Sequence, residues 1–82
     1  MKSYTFTVVI VKEVEDTGYS AYCPALPGCI TCGETIEETR MHIQEAMTGY
    51  LESQLAHGHS IPEDVEAAVA SVQVSIEMSA VA

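Results

Sequence analysis

Basic residues are what this 82-residue chain has least of: three Lys and Arg stand against twelve Asp and Glu, for a net charge of −9. A surface of that sign repels phosphates, so the chain alone is not expected to bind DNA or RNA directly. Aromatics are also few, with four Tyr, one Phe and no Trp, and they form no set for stacking bases. There is no Gly-rich phosphate loop. No apolar run approaches the ~18 residues of a membrane span. The early run Val8 to Val11 is short and meets Lys12-Glu13, the wrong flank for a signal peptide. Cysteines number three, an odd count that fits reduced thiols better than a disulfide framework. These absences predict a soluble cytoplasmic protein with no membrane partner.

What is present reads as globular: 48% hydrophobic residues with 18% charged. The length predicts a single domain, 1–82, around one modest core. The organising stretch is Pro24 to Thr39. Pro24 cannot donate a ladder hydrogen bond and should close a strand. Pro27-Gly28 is a turn dipeptide, because Pro presets φ and Gly accepts positive φ. Ile30 to Cys32 is a short extended run that Gly33 breaks. Thr35 stands as a helix N-cap, and Glu38 completes a capping box.

The rest of the chain arranges itself around that stretch. Tyr4 to Lys12 alternates with period two and is rich in β-branched and aromatic residues, which predicts a first strand. Glu15 to Gly18 supplies turn residues, and Tyr19 to Cys23 is the antiparallel partner strand. Thr35 to His57 is predicted as the one long helix, with Ile36, Ile43, Met47, Tyr50 and Leu51 on one face and Thr39 and Ala46 filling it. Gly58 is the left-handed stop. Gly49 either permits close approach to the sheet or is simply tolerated. Pro62 to about Ala68 is predicted as a short helical turn. Val72, Val74, Ile76 and Met78 alternate with polar residues, a half-buried last strand.

The expected fold is therefore α+β: a three-stranded antiparallel meander, a crossover helix and a fourth strand. A right-handed crossover would lay that strand parallel to the first, giving half of a ribonuclease H-like fold. A nuclease of that type needs a carboxylate in its first strand to hold metal, and Tyr4 to Val11 contains none, despite Glu37 and Glu38 on the helix.

Other chemistry is equally thin. Cys29-x-x-Cys32, with Cys23 and His42, His57 or His59, offers zinc-type ligands but no second paired motif. Cys29 and Cys32 are three apart on a strand, so they point to opposite faces. Ordinary core and surface cysteines are the preferred reading. The three histidines read as exposed helix and loop residues. No catalytic site, cofactor or metal site is assigned.

Taken as an ordered set, Tyr19 to Tyr22, Pro24, Leu26 to Cys29, Thr31, Gly33, Thr35, Glu37 and Glu38, then Gly58 and Ile61-Pro62-Glu63, resemble the HicB-like antitoxin family. The resemblance covers roughly residues 4 to 78. It implies no enzyme but a protein-binding antitoxin for a small basic HicA-type toxin. Toxins of that type resemble double-stranded-RNA-binding folds and cleave messenger RNA with a histidine, which the antitoxin would cover. The −9 charge suits a basic partner. Many family members continue into a ribbon-helix-helix or helix-turn-helix domain. This chain stops at Ala82, so the expectation is a short member without operator binding of its own. The alternative is a small cysteine-based metal-binding protein or an orphan domain.

One helix covers one face of a four-strand sheet. Val9 and Val11 have the opposite parity from Phe6, Val8 and Ile10, so one set is left on an open face. A homodimer with C2 symmetry, or a higher homo-oligomer, is expected to cover it.

Overall fold

A computed structural model describes residues 2–15 and 17–77. Its elements are β1 (Val9–Lys12), β2 (Tyr19–Tyr22), β3 (Ile30–Gly33) and α1 (Ile36–Ala56). The strands form one antiparallel sheet in the order β1-β2-β3. The meander and the helix thus stand as the alternation and the capping signals predict.

The first strand is shorter than its alternation. Val9 pairs with Tyr22, the last residue of β2. Beyond it the chain turns off at Pro24, which has no N–H to offer. Residues 4–8 therefore lack a ladder partner, although Phe6 and Val8 still pack on the core.

The segment after β2 is more than a turn. The Leu26 N–H donates to Cys23 O at 3.0 Å, the Cys29 N–H to Leu26 O at 3.0 Å, and the Cys23 N–H to Cys29 O at 3.2 Å. These bonds fold the loop over so that Leu26 is fully buried, between the buried Cys23 and Cys29. Gly28 completes the loop at φ 85°, a value that disfavours any side chain. Burying Leu26 is worth roughly 1.5–3 kcal/mol before chain entropy is subtracted.

The helix begins and ends where its caps predict. Thr35 is extended (φ −128°, ψ 163°), and its Oγ1 accepts from the Glu38 N–H at 3.0 Å. Such a cap contributes about 1 kcal/mol. At the other end Gly58 has φ 76° and donates its N–H to Leu55 O. Thr39 and Ile43 are buried, with Ala46, Met47, Tyr50 and Leu51 packed beside them. Ile36, expected on that face, is 54% exposed. The first turn starts past the end of β3, so Thr39 is the first helical residue on the stripe to meet the sheet.

The helix lies chiefly over β3 and β2 and touches β1 least. An open cleft of about 960 Å³ remains between α1 and the stretch leading into β1, lined in part by Phe6, Val8, Ile10, Ile43, Met47 and Leu51.

The C-terminal expectations are corrected. No helical turn forms at residues 62–68, and no strand forms at 72–77; Met78 lies outside the described residues. Residues 63–77 are all exposed. A seven-residue turn with no surface to pack on cannot offset the cost of helix nucleation. A strand needs a paired edge, and Val72, Val74 and Ile76 stay exposed instead of packing on the sheet. The radius of gyration is 17.1 Å, whereas a compact chain of this length has about 12 Å. The half of a ribonuclease H-like fold that needs a fourth strand is therefore incomplete in the described residues of one chain.

Candidate functional site

The register fixes which side chains share a face. Ala21 lies opposite Ile10 and Thr31, on the side covered by α1. The next residues in each strand point the other way. Val9, Tyr22 and Ile30 form one cross-strand row, and Val11, Ser20 and Cys32 form the next. On this open face Val11 is 47% exposed, Tyr22 43% and Ile30 68%. Strands ~4.8 Å apart make this an apolar strip about 10 Å across. The parity of Val9 and Val11 shows it from sequence. Tyr22 and Ile30 join it only once the register is known, because their strands are too short to show an alternation.

The residues of the cysteine–histidine reading do not converge. Cys23 and Cys29 are buried under the helix, whereas Cys32 is exposed on the open face. Burial pushes the Cys29 thiol above its usual range, and the neighbouring Cys23 adds to the shift. Among the described residues no three His, Cys, Asp or Glu side chains gather as a metal group.

The histidines have local partners. His42 is half-buried rather than exposed: its Nδ1–H donates to Cys32 O at 2.8 Å and ties α1 to β3. His57 Nδ1–H donates to Ser53 O at 2.7 Å, and His59 Nδ1–H to Gln54 Oε1 at 3.0 Å. Both latter bonds stay at the helix exit. Glu37 and Glu38 occupy the first turn of α1, where the helix dipole favours acids.

One polar contact escaped the sequence pattern. The Asp64 carboxylate accepts the Thr7 N–H at 2.9 and 3.0 Å and the Thr7 hydroxyl at 2.8 Å. These bonds hold the Asp64 carboxyl below the usual aspartate range, the backbone donor contributing most. They fasten the chain after α1 to the approach to β1. Nothing in local sequence announces a pair separated by 57 positions.

Fold and surface together define a small α+β domain with an uncovered apolar sheet face. The chain belongs to the HicB-like antitoxin family of bacterial toxin-antitoxin systems, whose model matches residues 6–81. It is 46% identical over 59 residues to the UPF0150 protein Ta0767 of Thermoplasma acidophilum, covering 72% of this chain and 84% of that one. It is 43% identical over 61 residues to the UPF0150 protein ssr1765 of Synechocystis, covering 74% and 76%. A second Synechocystis relative, the UPF0150 protein ssl0259, is 30% identical over 66 residues, covering 80% and 89%. No solved structure gives a significant match. The motif residues Leu26, Gly28, Cys29, Gly33 and Thr35 now have structural roles in loop, sheet and cap. No helix among the described residues is long and apolar enough to cross a membrane.

Proposed function

We propose that this chain neutralises a small basic HicA-type toxin by binding over its messenger-RNA-cleaving site. The observation that carries the reading is the open sheet face. Val11, Tyr22 and Ile30 expose an apolar strip in a chain of net charge −9. The strip supplies a dehydrated contact, and the charge draws in a basic partner and excludes competing acidic ones. Family membership supplies the toxin-antitoxin context. The role is binding, not catalysis. Cleavage of messenger RNA puts the encounter in the cytoplasm.

The test uses a HicA-type toxin encoded beside this chain. Calorimetry should show saturable binding, and added chain should stop messenger-RNA cleavage. Ile30→Asp places a charge on an already exposed position, so the fold should hold while binding weakens by about tenfold or more, since each ~1.4 kcal/mol is tenfold. Absence of binding by the unmodified chain, or full binding by the variant, overturns the reading.

Two further properties belong to the same proposal. The chain by itself binds no duplex DNA, because twelve acids and three bases repel it; saturable binding in an anisotropy titration at physiological salt is the contrary result. The chain also self-associates as a C2 dimer, since β1 has an unpaired outer edge among the described residues.

A further inference from the structure

We propose that residues 72–77 of one chain dock as a strand on the outer edge of β1 of a second chain, reciprocally, so that each sheet receives its fourth strand from the other copy. The inference rests on the self-association reading and names its surface.

The receiving edge follows from the hydrogen-bond pattern. The Glu13 N–H donates to Gly18 O at 3.0 Å, just past the Lys12–Tyr19 pair. Antiparallel ladders alternate, so Val9 and Val11 also direct their N–H and C=O groups at β2. The backbone groups of Ile10 and Lys12 then face outward, where the sheet order ends. Beside this edge lies the cleft that α1 leaves open, apolar along Phe6, Val8 and Ile10.

The segment that fits it is exposed and extends from the same chain. Val72, Val74 and Ile76 are 82%, 78% and 73% exposed, and they alternate with Gln73, Ser75 and Glu77. As a strand this is one apolar face of three side chains, the complement of the cleft. Charge selects the same pairing. Residues 67–76 carry no charged side chain, nor do residues 4–11, so the one charge on the docking strand is Glu77 at its end. In a chain of net charge −9 these two stretches can approach a second copy without placing acid against acid.

A second copy, and not the chain's own edge, receives the strand. Asp64 is fastened to Thr7, and residues 65–77 beyond it are exposed instead of packed on the chain's own sheet. The molecule is 59 Å long, nearly twice the ~31 Å of a 21-residue helix. Under C2 symmetry each copy gives one strand and takes one. The assembly closes, and neither β1 keeps a bare edge.

The test combines light scattering behind size exclusion with amide exchange on the full chain and on V74D. Position 74 is exposed in the single chain, so the helical far-UV circular dichroism signal of α1 should be unchanged. The expected result for the wild type is a dimer mass at micromolar protein. Its Ile10 amide should be slowed about 100-fold relative to the free edge. V74D should be a monomer of 8.8 kDa with a fast Ile10 amide. Q73D, on the polar face, should remain dimeric. A dimer that survives V74D with a fast Ile10 amide overturns strand exchange while preserving self-association through another face. A monomer with a concentration-independent, slow Ile10 amide overturns it in favour of docking on the chain's own edge. A monomer with a fast amide overturns both readings.

Discussion

A Cβ built on Gly33 would lie 2.6 Å from Thr39 Oγ1 and 2.8 Å from the Thr39 backbone nitrogen. The end of β3 and the first turn of α1 therefore meet at a distance that admits no side chain. Thr39 is fully buried there, its hydroxyl donating to Thr35 O at 2.7 Å. Space, not positive φ, demands glycine at this position. Gly33→Ala is expected to destabilise by about 1–3 kcal/mol, because the atoms it meets are partly backbone and cannot swing aside. Urea unfolding reads this directly; an unchanged midpoint at unchanged slope contradicts the close packing.

Gly49 has the opposite environment. A Cβ there meets nothing within 4 Å. Of the two roles its sequence position allowed, close approach to the sheet is removed and tolerance remains. Gly49→Ala should stabilise by about 0.5–1 kcal/mol through lower unfolded-chain entropy and higher helix propensity. A rise in thermal midpoint is the expected observation, and a fall would reveal a contact that the single chain does not make.

The three thiols should separate by reactivity. Cys32 is exposed, whereas Cys23 and Cys29 are buried and Cys29 is held protonated more firmly than a free thiol. Brief treatment with iodoacetamide at neutral pH should label Cys32 alone, with the other two reacting only in denaturant. Peptide mass mapping gives the answer. Early labelling of Cys29 would contradict the Leu26 loop packing.

Acid should release the Thr7–Asp64 clamp. Its folded carboxyl titrates below the ordinary aspartate value of 3.8. The stability it contributes is thus fully present above that value and lost as pH falls through the lower folded value. Asp64→Asn should remove this part of the acid sensitivity. Titration of the Thr7 amide resonance should give a midpoint below 3.8 in the wild type. A midpoint at or above it removes the clamp.

The legible part of the fold was local. Thr35 and Glu38 announced the helix start, Gly58 its end, and Pro24 and Gly28 the loop, because caps and turns are short-range chemistry. The opposed faces of Cys29 and Cys32 followed from strand geometry alone. What could not be read needed partners distant in sequence. Val72 to Ile76 has the pattern of a strand, but a pattern does not say which edge receives it. Ile36 matched the helical stripe, yet its exposure depends on where β3 ends. Tyr22 and Ile30 belong to the open strip only through register. Val11 was legible as part of that strip because parity needs no partner.

The long separation between Thr7 and Asp64 carries a kinetic consequence. The meander and α1 use neighbouring segments, whose loops close at little entropic cost and therefore quickly. Asp64 must instead find a residue 57 positions earlier. During synthesis the hairpin and the Leu26 loop leave the ribosome before Asp64 does. The clamp then forms as one of the last intramolecular events, and residues 72–77 emerge later still. Assembly between copies would accordingly join finished domains, and its rate should depend on protein concentration even where the folding rate does not.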